Sequence, residues 1–348
     1  MPEETTYRLV TPKDSQVLEE LISLTADSGS IGFTDDYQAD LLTVHRGLAE
    51  EFHAAVAEQD EKVVGMVFGE VRWVQYAGQV VPGVYISHLR VHPERRQMGI
   101  ARGLADWALE YITDLLRSDT VLYGAIMAGN VSLKLADRYG FRATRQIRGG
   151  VVPVRKSPPA PIPDLEVRPA NRDELPAVVE GMNAFYRAHD LWSPVSVDTL
   201  EEFLGREVAG IKPNQLYVAV RGGEVVAGLT LSDRTELVRM RLVRAPWYVR
   251  SLGGWLGLLP PSGNLDALTV RRVWFSEGQL EAGRYLWQTL RYELRNETNS
   301  LGIAYDPRDR LADLFQIPFW LPMFKARYLV RASKPLEPER LIYCVAGP

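Results

Sequence analysis

The sequence predicts an α/β (α+β) chain built twice over: two mixed, mostly antiparallel central sheets flanked by helices, one in each half. Three observations carry this expectation. Four prolines fall within six residues in Lys156-Ser157-Pro158-Pro159-Ala160-Pro161-Ile162-Pro163, and neither a helix nor a central strand accommodates such a stretch. The segments on either side of it begin alike, with Tyr7-Arg8-Leu9-Val10-Thr11-Pro12-Lys13-Asp14 and Leu165-Glu166-Val167-Arg168-Pro169-Ala170-Asn171-Arg172-Asp173. Each is a short alternating strand, a turn with a capping Asp, then an apolar-periodic helix. Antiparallel strands then precede a β-α-β-α-β passage, the order of a mixed sheet. The division expected is residues 1–155, a linker at 156–164, and residues 165–348. The length of 348 residues agrees, at roughly 100–200 per domain.

In the first half, helices are expected over Ser15–Leu24 and Tyr37–Glu51, then a strand over Phe52–Glu58. Asp60-Glu61 turn the chain into a strand over Lys62–Val74, and Ala77-Gly78 turn it back into Val84–Val91. A helix over Ile100–Arg117, a strand over Val121–Met127 and a helix over Ser132–Tyr139 follow. Strands over Phe141–Ile147 and Val151–Val154 close this half. The second half repeats the outline, with a hairpin of Leu216–Val220 and Glu224–Leu231 about Gly222-Gly223. A strand over Leu265–Phe275 leads to a helix over Leu280–Arg295, a strand over Leu301–Tyr305 and a short helix over Arg308–Phe315. Arg327–Arg331 and Leu341–Val345 are read as closing strands.

Composition narrows the class of function. The 46% hydrophobic and 24% charged residues leave each half able to bury a core. A formal net charge of −4 argues against a nucleic-acid partner, which calls for a basic excess, and suits an amine-bearing one. The single cysteine, Cys344, permits no intrachain disulfide and no cysteine metal site; it reads as a small side chain near a terminal strand, and no metal is expected. No apolar run reaches the ~18 residues of a membrane span. The opening Met1-Pro2-Glu3-Glu4-Thr5 is acidic and has no secretory pattern, so a cytoplasmic location is expected.

The segment that carries chemistry is Leu89-Arg90-Val91-His92-Pro93-Glu94-Arg95-Arg96-Gln97-Met98-Gly99-Ile100-Ala101-Arg102. An apolar strand ends, Pro93 stops the ladder, and a basic turn enters a helix. The first amides of a helix lack partners and sit at its positive end, which suits a pyrophosphate. Gly99 admits close backbone approach, Ala101 stays small, and Arg95, Arg96 and Arg102 add charge.

These residues resemble the GNAT superfamily of N-acetyltransferases, whose signature Gln/Arg-x-x-Gly-x-Gly/Ala follows a Leu-x-Val strand, as Arg96–Ala101 does here. An Asn that opens a helix ending in Gly-Phe is a second family feature, matched by Asn130 and Gly140-Phe141. The resemblance spans residues 5 to 154. It implies acetyl-CoA as cosubstrate. The pantetheine arm would pair with the backbone of Leu89, Arg90 and Val91, the pyrophosphate would lie on the amides of Gln97, Met98, Gly99, Ile100, Ala101 and Arg102, and Asn130 would face the pantetheine. The acetyl group would pass to an amine by direct attack on the thioester.

Two positions depart from the family pattern. Ala136 stands where a Tyr acid is usual, and Tyr85 where some relatives have a Glu, so the catalytic pair does not carry over. Local candidates are Tyr85, Ser87, His88 and Glu70, with Asp35, Asp36 and Tyr139 more distant. His88 has a side chain suited to a base near neutrality, and reads equally as a packed histidine. His88 and Tyr85 are taken as the catalytic candidates because both lie on the strand that lines the thioester in this fold. Tyr139 reads as core. A narrower similarity, over Tyr85–Ala101, Gly29-Ser30-Ile31-Gly32-Phe33-Thr34-Asp35 and the long second half, is to plant Hookless-type N-acetyltransferases and their bacterial relatives. It implies a small-molecule or protein amine as acceptor.

In the second half, Leu265–Gly283 stands where the loop belongs and lacks its Arg-x-x-Gly-x-Gly run. Glu277 and Glu281 would repel a pyrophosphate, and Asp306-Pro307 replaces Asn130. This half is therefore read as a degenerate copy, with one coenzyme A expected per chain. The insert Trp247-Tyr248…Trp255…Leu259-Pro260-Pro261 reads as core, since aromatics pack, with a lid over the acceptor as the alternative. The expected activity is acyl-CoA-dependent N-acyl transfer, and the rival is a CoA-binding sensor without turnover.

Overall fold

The computed structural model describes residues 4–25, 32–116, 119–127, 130, 132–255 and 263–344. Expectations placed on residues 1–3, 29–31, 117, 259–261 and 345 lie outside these. The first half holds strands β1 (Thr6–Leu9), β2 (Gly32–Tyr37), β3 (Glu51–Gln59), β4 (Lys62–Tyr76), β5 (Gln79–Val91), β6 (Val121–Met127) and β7 (Arg142–Pro153). Its helices are α1 (Ser15–Leu24), α2 (Leu41–Leu48), α3 (Ile100–Leu116) and α4 (Ser132–Arg138). The second half holds β8 (Leu165–Pro169), β9 (His189–Asp190), β10 (Asn214–Arg221), β11 (Glu224–Ser232), β12 (Val238–Arg244), β13 (Asn264–Leu265), β14 (Ala267–Phe275), β15 (Ser300–Tyr305), β16 (Phe324–Arg331) and β17 (Leu341–Ile342). Its helices are α5 (Leu175–Phe185), α6 (Val197–Gly205), α7 (Trp247–Trp255), α8 (Leu280–Glu293) and α9 (Leu311–Phe315).

Among the described residues, twelve strands form one mixed, mostly antiparallel sheet in the order β1-β3-β4-β5-β6-β16-β7-β15-β14-β11-β10-β8. The halves exchange their closing strands. β7 pairs with β15 of the second half, and β16 inserts between β6 and β7 of the first. A second joint forms where β2 pairs antiparallel with β12, setting Asp35 opposite Met240. α3 packs on β3, β4 and β5 through Ile100 and Leu104, buried against Ala55, Ala57, Val64 and Val67. α1 and α2 cover the other face with Leu18, Ile22 and Leu41. The second half packs its core around Trp192, Trp274 and Trp287.

Four local expectations are corrected. The helix expected from Tyr37 starts at Leu41, because the Asp40 side chain accepts from the Thr43 amide at 2.8 Å and caps it there; Gly32–Tyr37 is strand. The two strands expected over Phe141–Val154 are the single β7, whose Gly149 and Gly150 pair with Ala304 and Ile303 of β15. The strand expected over Leu265–Phe275 breaks at Asp266. The Trp247 insert is a helix whose Trp247 and Trp255 are 79% and 81% exposed, so these rings are not core. No described helix is long and apolar enough to cross a membrane.

Candidate functional site

The parallel pairing of β5 with β6 runs only from Gly83↔Val121 to Tyr85↔Tyr123. Beyond it β5 stays with β4, β6 stays with β16, and the two strands splay. Gly124 sits at the fork: a Cβ there would lie 2.6 Å from the Ile86 carbonyl oxygen, so any side chain would force the strands apart early. The fork opens into a mostly apolar cavity of about 680 Å³. Ser87, His88, Leu89, Arg90 and Val91 line one side of it. Gly124, Ala125, Ile126 and Asn130 line the other, and Arg96, Gln97, Ala101, Ala136 and Tyr139 close its end. Along Leu89–Val91 the edge of β5 that faces β6 has lost its ladder partner, which is what an added extended chain pairs with.

The segment from His92 to Gly99 begins as a short 3-10 turn, Pro93–Arg95, then passes through Gln97 and Gly99 at φ 67° and 84°. At Gly99 it is this left-handed backbone that favours glycine, not crowding, because nothing lies within 4 Å of where its Cβ would be. Arg102 and Gly103 both donate to the Gly99 carbonyl at 3.0 Å, while the amides of Gln97 to Ala101 have no backbone acceptor among the described residues. They stand at the positive end of the 17-residue α3. Met98 is 53% exposed, whereas Ile100 is buried under the helix start. Arg102 points to Asp106 at 3.8 Å. Met98, Gly99, Ile100 and Arg102 thus flank the cavity without lining it. The Asn130 side-chain oxygen accepts from the Ser132 amide at 2.9 Å and starts α4.

His88 occupies a bulge. Met66 faces Arg90 and Phe68 faces Ser87, so Val67 alone opposes His88 and Leu89, and His88 takes φ 51°. Its Nε2 is 3.3 Å from Asp35 Oδ2 and its Nδ1 3.0 Å from Ser87 Oγ. The ring lies on Phe68 and His45, with centroids 4.8 and 5.4 Å away. Burial alone would raise the Asp35 carboxyl. The His88 contact and the charges of His88, Arg90 and His45 outweigh it and hold the group below the usual range. The Tyr37 hydroxyl meets His45 Nε2 at 2.8 Å.

Tyr85 does not line the cavity. Its ring packs on Tyr123 at 5.5 Å, and burial, then the charge of Glu70, push its hydroxyl up. Tyr139, expected as core, is half-buried at the cavity's rim. It donates to Asp106 Oδ1 at 2.6 Å and to the Arg102 carbonyl at 3.1 Å, and burial with that carboxylate pushes it up to about 12. The Arg90 guanidinium donates to the Thr25 carbonyl. Asp35 reaches His88 only because β2 is held by β12, a pairing across some two hundred residues that no local pattern announces.

The second half repeats the geometry and closes it. β14 and β15 pair in parallel from Ala267↔Ser300 to Thr269↔Gly302, and β14 carries the same bulge at Arg272, φ 51°. Only residues 276–279 separate β14 from α8, against 92–99 between β5 and α3, so the loop is shorter by a full turn. The space that remains is about 10 Å³, lined by Tyr186, Phe315, Tyr343 and Cys344 among others. Buried pairs, His189 with Asp309 at 2.6 Å and Asp190 with Arg340 at 2.6 Å, pin this filling in place. Asp306, in the place of Asn130, is held by Arg308 at 2.6 Å. Among the described residues, no group of three or more His, Cys, Asp or Glu side chains is arranged to hold a metal.

Residues 18–141 match the model of the acetyltransferase (GNAT) family, which identifies a GNAT acetyltransferase domain in the first half. No curated protein matches the chain. Among solved structures, a GCN5-related N-acetyltransferase from Sphaerobacter thermophilus superposes with a TM-score of 0.59 at 16% identity, over 97% of this chain and 98% of that one. Saccharomyces cerevisiae N-myristoyltransferase with bound myristoyl-CoA gives 0.63 at 11%, over 99% and 89%. A GCN5-related N-acetyltransferase from Anabaena variabilis gives 0.54 at 13%, over 94% and 73%. At these identities the likeness is one of fold.

Proposed function

We propose that this chain is an acyl-CoA-dependent N-acyltransferase that moves an acetyl group from acetyl-CoA to an amine. Residues 1–155 would bind the cosubstrate, and residues 165–348, a degenerate copy joined by the 156–164 linker, would help shape the acceptor site. The observation that carries this reading is a splayed strand pair opening at one end onto acceptor-free helix-start amides and at the other onto a buried His–Asp pair. The diphosphate would lie on the amides of Gln97–Ala101 with Arg96 beside it; the Arg102 amide, expected to join them, is taken by the Gly99 carbonyl. The pantetheine would pair with Leu89–Val91 and pass Asn130, which brings the thioester to the level of His88.

There His88, oriented by Asp35, takes the first proton from the acceptor ammonium and passes it to solvent. The neutral nitrogen attacks the thioester carbonyl carbon, the C–N bond forms, and the C–S bond breaks as the tetrahedral adduct collapses. The adduct nitrogen's remaining extra proton goes to the departing thiolate. Ala136 offers no acid for that step, and the Tyr139 hydroxyl is committed to Asp106. The chain is expected to act in the cytoplasm on a small-molecule or protein amine.

Ala136 is also the observation that favours a second reading, a chain that holds coenzyme A without turnover. Thiol release against a panel of amines separates the two. His88→Ala should lower the rate by about 10²–10⁴-fold, the usual worth of a general base, with coenzyme A affinity unchanged by calorimetry. Tyr85→Phe should stay within a few-fold, since that ring is outside the cavity. Clear coenzyme A binding with no thiol release from any amine would establish the sensor instead.

A further inference from the structure

Helix α3 does not stay down on its sheet. Among the described residues, only Ile100 and Leu104 of its 17 are fully buried, both in the first two turns. Further along, Ala105, Ala108, Leu109 and Ile112 line the cavity and are half-buried. Gly69 of β4, Val84 and Ile86 of β5 and Leu122 of β6 line it from the sheet. Val84 and Leu122 pair with each other in the closed part of the fork, so the cavity continues past Gly124 as an apolar arm beneath α3. In the second half, α8 takes the place of α3 and buries Ala282, Gly283, Leu286, Trp287, Thr289 and Leu290. That helix is packed down along its length, which α3 is not.

Small residues keep the arm open. Ala101, Ala105 and Ala108 follow one another at helical spacing on α3, and Gly69 lies in the middle of β4. The backbone does not call for glycine at 69, since its φ is not positive. Crowding does not call for it either, because an added Cβ would stand at ordinary contact, 3.4 Å from Val84 Cγ1. A mid-strand glycine that neither strain nor crowding explains suits the close approach of a ligand. The polar groups along the arm, the Tyr111 hydroxyl and His53 Nδ1, meet at 2.9 Å and satisfy one another, so what the arm can hold is aliphatic. Left unfilled, such a space forgoes the contacts a close-packed interior makes. His88 lies elsewhere: its ring is on Phe68 and His45, in the layer covered by α1 and α2. A chain in the arm therefore leaves the approach to the candidate base clear.

We propose that this arm holds the acyl chain of the donor, so that the cosubstrate bound best is a straight-chain acyl-CoA of hexanoyl to octanoyl length, with acetyl-CoA its shortest form. Ala105 to Ile112 is seven steps of 1.5 Å along α3, about 10 Å, the reach of such a chain. This rests on the transferase reading above, and the bonds made and broken are the same; the carbonyl carbon carries a longer tail. Calorimetry with acetyl-, butyryl-, hexanoyl-, octanoyl- and palmitoyl-CoA should show affinity rising about fourfold per added methylene, the worth of each one buried. The rise should stop at octanoyl, with no further gain for palmitoyl. Gly69→Val and Ala108→Val put methyl groups into the arm and should each weaken octanoyl-CoA by about 10–100-fold, the usual range for overfilling a packed site. Coenzyme A itself should bind all three proteins alike, which also shows that the variants fold. One affinity for every chain length, with coenzyme A bound, would overturn the arm and leave the transferase reading standing. A chain-length preference that both variants keep would overturn it too. Independently of the cosubstrate, octanoate should raise the Tm of the parent chain and not of the variants. That stabilisation without any binding of coenzyme A would uphold the arm and sink the transferase reading alone; if neither is seen, both fall.

Discussion

His45 lies buried between Phe52, Phe68 and His88, and burial, then the charge of His88, draw its titration down to about 3 from 6.5. Its folded value is below its unfolded one, so the unfolded chain binds the extra proton first. Stability from neutral His45 is therefore complete above about pH 6.5 and drains away as pH falls toward 3. Thermal melts of the parent chain should decline across that window, and His45→Gln should flatten the decline while keeping a partner for the Tyr37 hydroxyl. Equal slopes for the two proteins would show that His45 is not the titrating group. At this scale the sequence was readable where contacts are local. Arg96 to Ala101 announce their turn by composition, and Asn130 its helix start. Asp35 announces nothing, because its partner arrives from a distant strand.

The loop between β5 and α3 is the element on which the proposed coenzyme A binding turns. Gly99 takes φ 84°, which a side chain adopts only with strain, and the amides around it have no backbone acceptor among the described residues. Gly99→Glu adds that strain to a carboxylate beside the proposed diphosphate position. Calorimetry should give one coenzyme A per parent chain and none for the variant, with an unchanged far-UV spectrum. Two sites on the parent would mean that the four-residue connection before α8 still binds. The strand–loop–helix order was legible because hydrophobic period and the stop at Pro93 are encoded within a few residues. Element ends were less so. Asp40 starts α2 by a side-chain bond that competes with plain periodicity, and the apolar rings of α7 look like core to any composition argument while Trp247 and Trp255 face solvent.

For the molecule as a whole, the exchange of β7 and β16 ties the halves more firmly than the proline linker suggests. The linker's start is itself held, with Arg155 donating to the Arg291 carbonyl at 2.8 Å and Arg291 donating to the Pro153 carbonyl. A chain of residues 1–155 keeps the loop and Asn130 but leaves one edge of β6 and both edges of β7 unpaired, and it loses the strand that holds Asp35. It should fail to melt cooperatively or bind coenzyme A, and co-expression with residues 156–348 should restore both. A monomeric 1–155 fragment with parent-like affinity would show that the exchange is dispensable. None of this was visible in the repeat. Two similar halves predict two similar sheets, and which half supplies a closing strand depends on tertiary pairing alone.

The exchanged strands also order events in time. A ribosome that has released residue 155 has made every group proposed to touch the cosubstrate, yet β16 is roughly 180 residues away. At usual elongation rates that is about 10–35 s, during which β6 and β7 present open edges to any neighbouring chain. The nascent protein has most need of a chaperone in that interval, and the proposed activity waits until β16 has been made.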